Sequence, residues 1–243
     1  MHRNLLFDLD QTLLDFHASE RLSLKAVMEM NGQEFSEEHY DFFKRVNKDL
    51  WLEFEKGSIS KPELFETRFG RLFEVCGCAL TKEELLKIND DFIDHMSHHG
   101  VLMDGVTEFL ERVLGEIGGA RIYVVTNGVA RNALGRIEST GLDKYICEVF
   151  VSERLGVSKP AAEFFDIVTE AIGEPKESCI VIGDSLTSDM LGAKNAGIAS
   201  CWFMPQGDTA RAMREYGIGY AASSYDELFE VLMKWSAAAA SEN

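Results

Sequence analysis

Five short apolar runs punctuate the chain: Leu5-Leu6-Phe7, Ile122-Tyr123-Val124-Val125, Val149-Phe150-Val151, Ile180-Val181-Ile182 and Ile198 to Phe203. Each is apolar at consecutive rather than alternate positions, which predicts strands covered on both faces. Between them lie segments of helical spacing at 105–117, 129–140, 160–172, 188–196, 208–216 and 225–235, several flanked by helix-stopping glycines. Strand and helix alternate, so the sheet is expected to be parallel and sandwiched between helices.

The stretch 16–100 breaks this rhythm. It holds no strand pattern, and Ser60-Lys61-Pro62-Glu63 and Thr81-Lys82-Glu83-Glu84 both have the form of a helix-starting capping box. The expected fold is therefore α/β: a three-layer, Rossmann-like parallel-sheet core over 1–15 and 101–243, with an inserted all-helical cap over 16–100. An insertion directly after the first strand leaves from that strand's carboxyl end, where ligands bind in open α/β sheets, and this is the position of a lid. The alanine-rich tail from Ala237 to Asn243 reads as a frayed helix end.

Composition narrows the partners. The chain has 243 residues, 46% hydrophobic and 27% charged, and a formal net charge of -17. Such a charge repels nucleic-acid backbones and anionic membrane surfaces, so neither is expected as a partner. A small anionic substrate meets the same repulsion, and a phosphate site here must build its own positive field from a metal ion, a lysine or backbone amides. The five cysteines are odd in number, and three lie in apolar runs, which argues against a disulfide framework. With no leader-like start and no stretch of 18 apolar residues, the chain reads as cytoplasmic and soluble.

Chemistry gathers at the ends of the predicted strands. Asp8-Leu9-Asp10-Gln11-Thr12 follows the first strand and sets two carboxylates at alternate positions. Magnesium is a hard cation that takes such ligands together with phosphate oxygens, whereas taken alone the segment reads first as a solvated turn. Thr126-Asn127-Gly128 closes the second strand ahead of a helix, a kind of terminus whose free N–H groups bind phosphate. Lys159 precedes Pro160 at a helix start, the usual place of an ordinary surface lysine. Asp184 ends the strand Ile180-Val181-Ile182-Gly183, and Asp189 follows five residues later, where an acid also suits a helix N-terminus.

In this order the four segments resemble the motifs of the haloacid dehalogenase-like hydrolase superfamily, with 16–100 matching its helical cap. Val46 to Trp51, Glu55 to Ile59, Arg68-Phe69 and Ile198 to Trp202 further resemble the noncanonical pyrimidine 5′-nucleotidase branch. The resemblance implies a magnesium-dependent phosphomonoester hydrolase with an aspartyl-phosphate intermediate. Asp8 would be the nucleophile and Asp10 the acid and base, with Asp8, Asp10, Asp184 and Asp189 around Mg2+ and Thr126, Asn127 and Lys159 holding phosphate. Phe16, His17 and Trp51 are candidates for contact with the leaving group, expected to be a pyrimidine nucleoside monophosphate, although aromatic residues equally serve packing.

Sugar-phosphate and phosphoglycolate hydrolysis stay open. A dehalogenase has no use for a second acid at Asp10, and a receiver-type regulator needs neither this length nor that acid. Asp91, Asp94, His95, His98 and His99 form acid–histidine pairs on a predicted helix, read as a solvated face. Cys76-Gly77-Cys78 is read as structural.

Overall fold

The computed structural model describes residues 3–238, excluding the side chain of Glu55. Two compact units emerge, one formed by the chain up to Phe16 and from Val101 onward, the other by His17–Gly100.

The first unit is built on six strands: β1 (Asn4–Phe7), β2 (Arg121–Thr126), β3 (Glu148–Val151), β4 (Cys179–Gly183), β5 (Ala199–Phe203) and β6 (Tyr220–Ala222). They pair in parallel in the order β3-β2-β1-β4-β5-β6. β6 was absent from the sequence expectation. It has only three residues, Tyr220-Ala221-Ala222, and lies at the sheet edge, so it carries no apolar run to announce it.

The side-chain period of two sorts the strands into two cores. Leu5, Phe7, Ile122, Val124, Ile180, Ile182, Cys201 and Phe203 enter one core, where Phe109, Leu110 and Leu228 meet them. Leu6, Tyr123, Val125, Val181 and Trp202 enter the other, against Phe164, Phe165 and Val168. Helices thus cover both faces, as continuous apolar strands require.

In chain order, the second unit holds α1 (Phe16–Met30, whose first residue belongs to the sheet unit), α2 (Glu37–Glu55), α3 (Lys61–Val75) and α4 (Lys82–His98). Reciprocal capping boxes start α3 at Ser60 and Glu63 and α4 at Thr81 and Glu84. Its core stacks Phe43, Phe69 and Phe92 around the buried Arg68, which donates to Asn47 and Asn89.

The sheet unit adds α5 (Val106–Glu116), α6 (Ala130–Thr140), α7 (Ser152–Leu155), α8 (Ala162–Ile172), α9 (Leu191–Ala196), α10 (Thr209–Tyr216) and α11 (Tyr225–Ala238). Two helix starts differ from expectation. α8 begins at Ala162 with Pro160 outside it, and a five-residue π-helical turn, Leu186–Met190, leads into α9. Of the alanine-rich tail, 239–243 lie outside the described residues.

Strand β4 lies at the centre of both cores and Ile180 is fully buried. Ile180→Ala is expected to destabilise the protein by about 2–5 kcal/mol through lost transfer energy and the cavity left behind, read as a lower urea midpoint at unchanged slope.

Candidate active site

Strand order reverses between β1 and β4, and the carboxyl ends of strands at such a switch point form a crevice. Phe7 pairs with both Val124 and Ile182, so the chain just beyond β1, β2 and β4 reaches one level. The ladder runs one step further, with the Asp8 amide donating to the Ile182 carbonyl at 2.8 Å. Asp8, Thr126 and Asp184 are thereby carried to neighbouring strand ends by sheet register alone.

Lys159 joins them from the loop between α7 and α8. Its side chain is 1% exposed. The ammonium donates to Asp8 Oδ1 at 2.6 Å, to Asp189 Oδ1 at 2.6 Å and to the Val125 carbonyl at 2.8 Å. Three acceptors use all three of its N–H groups. The lysine's backbone is fixed as tightly: Asn127 Nδ2 donates to the Lys159 carbonyl at 2.8 Å, and the Lys159 amide donates back to Asn127 Oδ1 at 3.0 Å. Asn127 thus holds the lysine loop through its side chain. Thr126 is buried, and its hydroxyl accepts from the Gly128 amide at 3.0 Å, bending the chain sharply after β2.

Asp189 is fully buried, and its second oxygen accepts from the Ser185 amide at 3.1 Å. Gly183 makes room for it, since a Cβ there would come within 2.3 Å of Asp189 Oδ2. Asp184 is held by its carbonyl, which accepts from Trp202 Nε1 at 2.8 Å. Carboxylate oxygens of Asp8, Asp184 and Asp189 lie within 4.8 Å of one another, the one such trio among the described residues.

Burial pushes the Asp8 carboxyl well above the ordinary carboxylate range; Lys159 opposes this and Asp189, Asp184 and Asp10 reinforce it. Burial also raises Asp184 to about 7, with Asp189 adding to the effect. For Lys159 burial works against the charge, but Asp189 and Asp8 outweigh it and hold the ammonium well above the usual lysine value. Three carboxylates facing one ammonium leave the crevice short of positive charge. An all-oxygen donor set of this kind fits a hard divalent cation.

Asp10 takes a different partner. Its carboxylate receives Arg136 Nη1 at 2.6 Å and Nη2 at 3.2 Å. Phe16, at the start of α1, lies with its ring centroid 5.6 Å from that guanidinium. Arg136 is the participant that the sequence does not reveal, because an arginine on the amphipathic α6 reads like any solvated helix charge. The remaining candidates sit in the helical unit. His17 lies 3.7 Å from the buried Glu20, and Trp51 packs edge-on against Phe54 beside Leu50 and Leu64. His95 and His99 stack on each other at 3.9 Å without forming a three-ligand group.

The model of the haloacid dehalogenase-like hydrolases matches residues 2–197. The chain belongs to that family. This hydrolase is 33% identical to the pyrimidine 5′-nucleotidase PynA of Streptococcus pneumoniae over 234 residues, 96% of each chain. It is 31% identical to the pyrimidine 5′-nucleotidase YjjG of Escherichia coli, over 95% of this chain and 97% of that one. Among solved structures, the putative HAD-hydrolase YfnB of Bacillus subtilis, bound to magnesium, superposes with a TM-score of 0.82 at 31% identity, covering 95% of this chain and 98% of that one. The chain is an enzyme of the hydrolase class. Among its described residues no helix is long and apolar enough to cross a membrane.

The raised Asp184 gives a pH test. Between the unfolded carboxylate value of about 3.9 and the folded value of about 7 the folded state binds the extra proton, so stability falls as pH rises through this window. In metal-free protein, Asp184→Asn is expected to raise the melting temperature at pH 8 and flatten its dependence on pH between 5 and 8, as read by thermal melts in chelator. A divalent cation favours the ionised form, so added magnesium should stabilise the parent protein more at pH 8 than at pH 6.

Proposed function

We propose that this chain is a magnesium-dependent phosphomonoester hydrolase acting on pyrimidine nucleoside monophosphates. The observation that carries the chemistry is the gathering of Asp8, Asp184 and Asp189 around the buried Lys159, with Asp10 two residues beyond Asp8. The substrate class rests on the near full-length likeness to two pyrimidine 5′-nucleotidases.

In this reading Asp8 attacks phosphorus in line. The bond from its carboxylate oxygen to phosphorus forms as the ester P–O bond breaks, leaving an aspartyl-phosphate. Asp10 gives a proton to the departing oxygen and later takes one from the water that cleaves the acyl phosphate. The Asp8 and Asp184 carboxylates and the Asp10 backbone carbonyl would hold the magnesium ion, which would supply positive charge to the phosphoryl oxygens. Asp189 stands behind them, since its oxygens already serve Lys159 and the Ser185 amide. Lys159 keeps a positive charge beside the nucleophile and so offsets, locally, the net -17 that repels an anionic substrate. Thr126 and the amides after β2 bind the transferred phosphoryl group. Phe16, His17 and Trp51 are assigned to the leaving group, and the cap over 16–100 to its selection. The free thiols of Cys76, Cys78, Cys147, Cys179 and Cys201 support a reducing, cytoplasmic setting.

Phosphate release measured over nucleoside monophosphates, sugar phosphates and phosphoglycolate tests both levels. Turnover is expected to lead with dUMP and dTMP, to vanish with chelator, and to fall by more than about a thousandfold in Asp8→Asn. A preference for sugar phosphates removes the nucleotidase assignment and leaves the chemistry standing; full activity of Asp8→Asn removes the chemistry.

A further inference from the structure

We infer that Arg136 is a positioning residue, which sets the Asp10 carboxyl in the orientation from which it serves the leaving group. The inference rests on the role proposed above for Asp10 and adds the group through which that role is controlled.

Arg136 sits on α6, the helix that follows the Thr126-Asn127-Gly128 turn, so the β2–α6 unit that brings Thr126 to the crevice also brings the arginine. Its side chain is 1% exposed, while that of Asp10 is 28% exposed. Among the described residues the guanidinium has Asp10 as its sole hydrogen-bond partner, and its buried Nε has none. A buried charge sustained by one carboxylate is poorly explained by stability, because buried ion pairs are often replaced by apolar side chains without loss. Its geometry explains it better. A planar fork with two donors fixes both the place and the plane of a carboxyl group, which the point charge of a lysine cannot do.

The surroundings serve the same end. Gln11 takes a left-handed conformation with φ 58°, and Asp10 bridges to Leu14, so the backbone carrying Asp10 is fixed by its own turn. The guanidinium carbon lies over the Phe16 ring, 5.6 Å from its centroid. What remains free is the rotation of the Asp10 side chain, and that is what the fork removes. The two bonds are unequal: 2.6 Å to Oδ1 and 3.2 Å to Oδ2. The short bond anchors the group, and Oδ2 is the oxygen placed to exchange a proton. In the step itself that proton passes from the Asp10 carboxyl to the ester oxygen as the P–O bond breaks, and Arg136 keeps all of its own.

A structural role and a positioning role differ in which substrates suffer. An alkyl phosphate leaves as a strongly basic alkoxide and needs its proton; p-nitrophenyl phosphate leaves as a weak base and scarcely does. Arg136→Ala and the more space-filling Arg136→Met are expected to lower kcat for a nucleoside monophosphate about 100-fold, the size of loss that a misplaced group causes, with KM within about threefold. The loss for p-nitrophenyl phosphate should be under about tenfold. Arg136→Lys should recover little of the alkyl-ester rate, and Asp10→Asn/Arg136→Met should turn over no more slowly than Asp10→Asn alone. Melting curves identify the variants that fold. Equal losses with both esters, a double mutant slower than Asp10→Asn, or Arg136→Met with unchanged alkyl-ester turnover each overturns the inference. If Asp10→Asn is fully active, the acid role of Asp10 falls and this inference with it; if Asp10→Asn is inactive while Arg136→Met is not, this inference falls alone.

Discussion

The crevice depends on one buried ammonium. Lys159 reaches in from a loop and spends its three N–H groups on Asp8, Asp189 and the Val125 carbonyl. Three acids converge on this crevice, and without a cation their repulsion and desolvation would push them toward protonation or apart. With the lysine, two are tied to a common point and to the end of β2. The lysine itself stays in place because Asn127 grips its backbone from both sides. Removing one partner of such a buried group leaves the others uncompensated, so these residues act as a unit rather than as separable contributors.

The sheet sets the distances within that unit. Two independent cores, one on each face, hold β1, β2 and β4 in register. Strand ends are the stiffest places in such a fold to mount a side chain, and loops then add what the strands do not reach. Lys159 comes from a loop, Asp189 from the π-helical turn after β4, and Arg136 from a helix. The net result is an acidic crevice in which Lys159 stands beside the nucleophile candidate and Arg136 is taken up by Asp10, so a hard divalent cation suits the remaining acids.

Much of this was visible in the residue pattern, for physical reasons. Strands buried on both faces must be apolar throughout, so β1 to β5 show themselves; β6 has one packed face and three residues, and does not. The acids Asp8 and Asp184 were legible because each directly follows an apolar run that fixes its place. Lys159 read as easily as a surface residue, and only its three acceptors distinguish it. Asn127 was expected at the phosphate as part of the turn after β2, while the grip of its side chain on the lysine depends on a loop 32 residues away. Arg136 carried no signal, since nothing in a helix's own sequence says that a strand-end carboxylate faces it.

Gly183 shows how the site acquires side chains without altering its scaffold. The volume where its own side chain would project is taken by the Asp189 carboxylate. The strand end is thus furnished by a prosthetic arm from six positions downstream, and the two positions share one vacancy. Any substitution that fills the first evicts the second, so the pair constitutes a single steric locus that drift can alter only by changing both residues together.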